Sequence, residues 1–274
     1  MICLKRSILQ HDFIVFIEEM LYIKHSGIFD CIFSTFSRVD ANREIPFNNC
    51  MYIYSQFETN AGDSAYCMTG YCFLCDESNN LWILALKGEL EEWYAGILNC
   101  TIIHGACVTL NGANLLLVGE RKTGKTTLTK YLVYEKKARY LDDDCVYFIN
   151  GEYLGFNMPI PVRQAYPDSF DSNAICRTYD GEKVARVLYK PLLTVPKLSK
   201  IDRIIFPQFN SHGSNQLRSL KASELYCKFL NNIRNSADVK SLFSDIHKII
   251  HDAEAYHIVY TSSEKAFDII TSIL

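Results

Sequence analysis

The first third of the chain alternates apolar, aromatic-rich runs with short polar breaks. Three such runs, at residues 50–57, 65–75 and 81–86, are bounded by Asn, Gly, Asp and Ser residues, a pattern that is typical of strands joined by turns. Residues 89–98 instead place apolar side chains three or four positions apart, which indicates a helix. The pattern predicts an accessory α+β part over residues 1–99 that is built on an antiparallel sheet. It carries no recognisable catalytic group, and a role in substrate recognition or in homo-oligomer contacts is left open.

Beyond residue 100 the pattern changes to short apolar runs that alternate with amphipathic segments. The runs at residues 107–110 and 115–118 flank Asn111-Gly112, a dipeptide typical of a two-residue hairpin turn. Residues 100–274 are therefore predicted to form an α/β domain. Further strands are expected at residues 184–189, 201–207 and 255–261, and helices at residues 221–234, 239–254 and 263–274.

The segment after the second strand of that hairpin contains Gly119-x4-Gly124-Lys125-Thr126. A strand followed by this spacing and then a helix is typical of a phosphate-binding loop, because loop amides and a helix N-terminus favour an anion. Lys125 would supply a positive charge to the β- and γ-phosphates of ATP, and the Thr126 hydroxyl would bind Mg²⁺. The residues expected to contact the nucleotide here are Gly119, Lys122, Thr123, Gly124, Lys125, Thr126 and Thr127.

Three consecutive aspartates, at positions 142–144, interrupt a strand-like run at residues 139–149. Burying carboxylates between apolar residues is costly unless a cation compensates them, so the run indicates a Mg²⁺ site or a lysine–phosphate site. A solvated turn that carries acidic residues is the alternative. The dipeptide Asn150-Gly151 directly after the run predicts a second hairpin.

The order of these elements resembles the catalytic domain of HPr kinase/phosphorylase and, more distantly, ATP-dependent phosphoenolpyruvate carboxykinase. In both this chain and that family the aspartates follow the helix of the phosphate-binding loop directly. The family also carries a His-Gly before the loop strand, where this chain has His104-Gly105. Its Ala-Asp-Asp-Ala-Val type of run aligns with residues 142–146. The resemblance covers residues 100–210 by motif.

This resemblance implies a P-loop domain with a mixed sheet and an ATP-dependent phosphotransferase activity. Asp143 matches the family's general base toward the acceptor hydroxyl. Asp144 matches the neighbouring carboxylate that helps Thr126 to hold Mg²⁺. His104 would orient Asp143 or touch the acceptor, with a histidine satisfied inside the core as the alternative. With Lys125, these residues form the expected catalytic set.

Residues 155–163 resemble the Gly-Phe-x-x-Pro-Ile-x-x-Arg segment of short HPr-kinase-like proteins, some of which accompany peptide natural-product pathways. The segment by which HPr kinases contact their partner is not visible. The expected acceptor is therefore a Ser or Thr of a peptide or small protein, and Arg163 is a candidate to contact the phosphoryl group or an ordinary surface arginine. Two other classes stay open: a nucleotide-gated binding or regulatory ATPase, and a small-molecule kinase or carboxykinase-like enzyme.

Length and charge limit the partners of this chain. Its 274 residues carry a net charge of −3, which argues against a general nucleic-acid binder. No apolar run is long enough to span a bilayer and the N-terminus lacks a signal-peptide pattern, so we expect a cytoplasmic protein with no membrane partner. Residues 183–234 hold ten Lys or Arg against two acids, which suits a solvated face or a surface for a phosphate-bearing or acidic partner.

The chain has eleven cysteines, an odd number that does not indicate a disulfide framework. Cys67, Cys72 and Cys75 are weak zinc candidates, because a single Cys-x2-Cys pair without a second pair is a weak signal.

Overall fold

The computed structural model describes residues 1–8, 11–34, 36–39, 50–55, 71–75, 82–98, 100–164, 174–180, 184–235 and 239–274. The helices in these ranges are α1 (Glu19–Lys24), α2 (Ser26–Ile32), α3 (Trp82–Leu98), α4 (Lys125–Tyr134), α5 (Ala222–Leu230), α6 (Val239–His251) and α7 (Ser263–Thr271).

The strands in the same ranges are β1 (Ile2–Ile8), β2 (His11–Ile17), β3 (Ser37–Arg38), β4 (Cys50–Ser55), β5 (Tyr71–Cys75), β6 (Thr101–Ile103), β7 (Gly105–Leu110), β8 (Ala113–Val118), β9 (Arg139–Asp143), β10 (Val146–Ile149), β11 (Glu152–Leu154), β12 (Ile160–Gln164), β13 (Ala174–Asp180), β14 (Val184–Tyr189), β15 (Lys197–Leu198), β16 (Arg203–Phe209), β17 (Gln216–Ser219), β18 (Ile233–Asn235) and β19 (Glu254–Tyr260). The chain is a mixed α/β protein with several mixed sheets, as the sequence predicts.

The chain forms two compact units, and each of them is discontinuous in sequence. The first comprises Met1–Leu98 and Arg163–Leu188, and the second comprises Asn99–Val162 and Tyr189–Leu274. Residues 163–188 therefore cluster with the N-terminal residues, whereas the sequence assigned them to the domain at 100–274. The segment 163–188 contains β13 and most of β14. These two strands and β12 form a three-stranded sheet in the order β12-β14-β13. Local patterns identify such strands but not the unit that they join.

The first unit contains a five-stranded sheet in the order β3-β1-β2-β4-β5. The prediction of an antiparallel sheet is wrong: β1 pairs antiparallel with β2 and β3, but β4 pairs parallel with β2, and β5 pairs parallel with β4. A parallel pair needs a crossover, and helices α1 and α2 lie in the connection between β2 and β4. Of the predicted strand at 65–75, residues 65–70 lie outside the described part.

The prediction of a strand at residues 81–86 is wrong, because residues from Trp82 onward form helix α3. The helix begins at Trp82, and its buried positions Trp82, Ile83, Leu86 and Leu90 continue the helical spacing of residues 89–98. A short apolar run cannot be assigned to strand or helix by its composition alone, and here the longer period decides. The ring of Phe13 on β2 packs edge-on against Trp93, with centroids 5.3 Å apart, so the helix covers the sheet.

The second unit is built on a six-stranded mixed sheet in the order β17-β19-β16-β8-β7-β9. Strands β8, β16 and β19 run parallel, while β7, β9 and β17 run antiparallel to their neighbours. The predicted hairpin of β7 and β8 is confirmed, and its turn residues Asn111 and Gly112 have φ values of 51° and 84°. Leu115–Val118 are fully buried, as expected for a central strand.

A second sheet of this unit has the order β15-β11-β10-β6-β18. Its hairpin of β10 and β11 confirms the turn predicted at Asn150-Gly151, where φ is 52° and 83°. The predicted helix at 221–234 ends earlier, at Leu230, because the following residues pair with β6 as strand β18. The carboxyl ends of β8, β16 and β19 lie at the same edge of the six-stranded sheet. Ligands of open α/β sheets bind at such edges.

Candidate functional site

The loop from Gly119 to Gly124 joins β8 to α4 at that edge. The Thr123 hydroxyl donates to the Glu120 carbonyl at 3.0 Å, and the amide of Phe209 on β16 donates to the Thr123 carbonyl at 3.0 Å. The loop is therefore closed on itself and anchored to the neighbouring strand. Lys122 has a φ of 71°, in the left-handed region that lets successive amides converge on an anion.

Gly124 occupies a position at which any side chain would be strained. Its φ is 97°, and a Cβ there would lie 2.2 Å from the hydroxyl oxygen of Tyr260 and 3.1 Å from Cβ of Phe209. The Tyr260 side chain is 2% exposed, and its hydroxyl has no hydrogen-bond partner within the described part of the chain. Burial raises the pKa of this hydroxyl, so it is protonated at neutral pH. The second glycine of the motif is therefore required for two reasons: its positive φ and its close packing against Tyr260.

Lys125, the first residue of α4, is buried and turned back onto the loop. Its ammonium donates to the carbonyls of Gly119, at 2.5 Å, and Glu120, at 2.9 Å. Burial lowers the pKa of Lys125, while the negative charges of Asp143 and Asp144 act in the opposite direction. The sequence-predicted lysine and aspartates thus lie within electrostatic range of one another. Thr126 and Thr127 follow in the first turn of the helix, half-buried and exposed respectively.

Asp142, the first aspartate of the run, holds the backbone in place. Its carboxylate accepts hydrogen bonds from the amide of Asp143, at 2.9 Å, and the amide of Phe156, at 2.5 Å. The hydroxyl of Tyr140 lies 3.4 Å from the same carboxylate and donates to the Met158 carbonyl at 2.9 Å. Asp142 and Asp143 are 2% and 0% exposed, so the solvated-turn alternative does not describe them.

Asp144 ends the run in a different environment. Its φ is 78°, its side chain is half-buried, and its carboxylate lies 3.8 Å from Nε2 of His104 and 3.9 Å from Nη2 of Arg234. It therefore faces a histidine and a cation where Asp142 faces backbone amides. Asp142 and Asp144, two positions apart in the same run, consequently have different surroundings.

His104 is a neutral histidine in this site. Burial, together with the charges of Lys125, Arg234 and Arg121, lowers its pKa to about 4 against the opposing effect of Asp144. Its amide donates to the carbonyl of Asn232 at 2.6 Å. A neutral imidazole can accept or donate a hydrogen bond without adding charge, which suits a group that orients a neighbour.

Arg234 is the residue of this cluster that the sequence did not identify. It lies on β18, donates from Nη1 to Sγ of Cys145 at 3.0 Å and approaches Asp144 from Nη2. The sequence predicted a helix over residues 221–234, which would place Arg234 at its last position. The signal that could have found it is Asn231-Asn232, because asparagine is common where a helix ends.

Two further sets of predicted residues belong to the first unit. Arg163 is exposed on β12 and belongs to the first unit, whereas the loop belongs to the second. Cys75 is buried on β5, while Cys67 and the side chain of Cys72 lie outside the described part of the chain. Among the described residues, no group of three His, Cys, Asp or Glu side chains could hold a metal by itself.

The donor set fits magnesium held jointly with a nucleotide. Mg²⁺ prefers oxygen and is bound in proteins through one or two carboxylates together with phosphate oxygens and water. Thr126 offers a hydroxyl and Asp144 a half-buried carboxylate, and both act near the charge of Lys125. These residues would hold the ion, and the closed loop with its buried lysine would hold the phosphates.

No family model matches the chain, and no curated protein does either. Among solved structures it is similar to the Hpr(Ser) kinase/phosphatase of Coxiella burnetii, with 11% identity and a TM-score of 0.30, over 63% of this chain and 89% of that one. A TM-score this low carries no information about function. Among the described residues, no helix has the length and apolar character that a membrane-spanning helix needs.

Proposed function

We propose that this chain is an ATP-dependent phosphotransferase that acts on a Ser or Thr hydroxyl of a peptide or small protein. The observation that supports it most is the placement of Lys125: its ammonium lies in a closed glycine loop and is within electrostatic range of Asp143 and Asp144. Phosphoryl transfer needs mainly positioning and neutralisation of charge, and this arrangement supplies a cation and carboxylates together.

The proposed roles follow from the surroundings of each side chain. Lys125 and the loop amides neutralise the phosphates, and Asp143 accepts the proton of the attacking hydroxyl. Thr126 and Asp144 hold Mg²⁺, which supplies charge neutralisation at the phosphate oxygens when it is bound. His104, neutral at pH 7, orients Asp144, which it approaches at 3.8 Å.

Arg234 adds a second cation to the cluster. It shares Asp144 with His104, and arginine binds planar oxyanion groups through several donors at once. We propose that it stabilises charge on the transferring phosphoryl group. Arg163 was the sequence candidate for this role, with an ordinary surface arginine as the alternative; it is exposed and belongs to the first unit.

The first test of the proposed function is nucleotide binding, measured by calorimetry with ATP and Mg²⁺. Lys125→Ala should abolish it, because the loop amides cannot replace a cation at the phosphates. Lys130→Ala, on the same helix but packed over the ring of Tyr189 at 3.7 Å, is the matched control and should bind normally. Undiminished binding by Lys125→Ala would contradict the assignment of the loop.

The second test separates transfer from binding. Asp143→Asn should reduce transfer of radiolabelled phosphate to cell peptides by about 100-fold or more while ATP affinity changes little, because only the proton acceptor is lost. Asp268→Asn, an exposed aspartate on α7, is the control. Turnover of ATP with no phosphorylated acceptor would favour a regulatory ATPase instead.

A further inference from the structure

The two sides of the phosphate-binding loop differ in their chemistry. On one side of β8 lie β7 and β9, whose ends carry His104 and the buried Asp143. On the other side lie β16 and β19, whose ends carry Phe209 and Tyr260. Because the proposed transfer takes place beside the aspartates, the terminal phosphate belongs on the first side. The remainder of the nucleotide must then leave the loop toward the second side.

The strands on that second side continue past the end of β8 and run alongside the loop. Ile205 pairs with Leu117, so β8 ends at Val118 while β16 continues for three further residues beyond that level. At about 3.3 Å per residue this extension is roughly 10 Å long. Strand β19 extends equally far, because its last residue, Tyr260, pairs with Phe209. The two strands therefore form a wall next to the loop, on the side away from the aspartates.

Phe209 stands at the end of this wall with half of its side chain exposed. Its position is nevertheless fixed, because its amide is bonded to Thr123 of the loop and its ring lies 5.8 Å from the ring of Tyr260, centroid to centroid. The buried Tyr260 supports the ring from below, and the Asn210 amide donates to the Tyr260 carbonyl at 2.9 Å. An aromatic ring that is held rigidly and left exposed beside a phosphate site offers a surface for stacking.

We propose that Phe209 is the platform on which the nucleobase of the bound nucleotide stacks, an inference that rests on the proposed function. Every nucleobase has a π-face that can stack on an aromatic side chain, and removing such a side chain weakens binding. The polar loop after Phe209 borders the platform: the side-chain oxygen of Asn215 accepts from the amide of Thr261 at 3.0 Å, which ties the loop to the end of β19.

The test compares ATP with inorganic triphosphate, which has the phosphates but no base. Both are titrated with Mg²⁺ in a calorimeter into the full chain, as wild type and as Phe209→Ala. Phe209→Ala should weaken ATP binding by about 5- to 150-fold, which is the range measured for loss of base stacking. Its affinity for triphosphate should stay within about twofold, because the loop and Lys125 are unchanged.

Two further variants sharpen the comparison. Phe243→Ala removes another phenylalanine of this unit, on α6, that is 52% exposed, and it should leave both affinities unchanged. Phe209→Trp should retain ATP affinity, and the new indole should lose fluorescence with ATP but not with triphosphate. The two natural tryptophans, Trp82 and Trp93, both lie in the first unit and serve as the background signal.

Equal weakening of ATP and triphosphate by Phe209→Ala would overturn the proposal, because it would show a distorted loop and not a lost platform. No weakening of ATP would overturn it as well. Failure of the proposed function has a different signature: the wild type would bind neither ligand, or Lys125→Ala would bind both as the wild type does. In that case the platform falls together with the function on which it rests.

Discussion

The packing of Gly124 against Tyr260 makes a quantitative prediction about stability. Gly124→Ala introduces a Cβ at a φ of 97°, and left-handed backbone costs an L-residue about 1–2 kcal/mol. The same Cβ would lie 2.2 Å from the Tyr260 hydroxyl, and overpacking of this kind costs about 1–3 kcal/mol. Alanine recovers about 0.4–1 kcal/mol by restricting the unfolded chain. We therefore expect Gly124→Ala to lower the free energy of unfolding by about 1–5 kcal/mol.

Two companion variants separate the backbone strain from the overpacking. Gly112→Ala has a comparable φ, 84°, but its Cβ would meet no atom within 4 Å, so it should show the strain alone. Tyr260→Phe removes a buried hydroxyl that has no partner in the described part of the chain, and it should be as stable as the wild type or more so. In that background the ring carbon would still lie 3.3 Å from the new Cβ, and only the close contact with oxygen disappears.

The assay is urea unfolding of the full chain, followed by circular dichroism, for the wild type, the single variants and the double variant. The double variant should recover about 1–3 kcal/mol of the Gly124→Ala loss, and that recovery is the coupling energy of the pair. Two results would refute the reasoning. One is a Gly124→Ala cost that is the same in both backgrounds within about 0.5 kcal/mol. The other is a Tyr260→Phe variant that is clearly less stable than the wild type, which would mean that the hydroxyl is bonded.

Three other predictions concern residues around the loop. Asp142→Asn should lower kcat in the phosphate-transfer assay and leave ATP affinity intact, because it disturbs the amides of Asp143 and Phe156 but not the loop; equal losses in both would contradict this. Asp202→Ala should lower the urea midpoint by the equivalent of about 1–3 kcal/mol, because it removes the acceptor of the Asn114 amide at 2.8 Å. The folded pKa of His104, about 4, lies below its ordinary 6.5, so the free energy of unfolding should be highest above pH 6.5 and fall toward pH 4. His104→Gln should flatten that part of the profile in urea titrations at stepped pH.

The features that the sequence predicts well are those whose causes are local. Both Asn-Gly hairpins are correct, because the two residues themselves adopt the positive φ that the turn requires. The strand, loop and helix around Lys125 are correct for the same reason, since one continuous segment contains the glycines, the cation and the helix start.

The features that it misses depend on residues far apart in the chain. Arg234 reaches Cys145 only because the segment after α5 leaves the helix and pairs with β6. Phe209 lies next to the loop because of the parallel register between β8 and β16, which no short pattern encodes. The parallel pairing of β4 likewise depends on the crossover formed by α1 and α2, so the apolar runs of the first unit predicted strands but not their direction.

The interleaving of the two units has a consequence for the synthesis of the protein on the ribosome. The first unit includes Arg163–Leu188, so its N-terminal segment is complete at Leu98 but lacks its second segment for 90 further residues. At roughly 5–20 residues per second, this interval lasts about 5–18 s. During that time the ribosome also synthesises residues 99–162 of the second unit, which include the phosphate-binding loop. Neither unit is therefore complete when its first segment has been synthesised. For the same reason, truncation at a single point cannot separate one unit from the other.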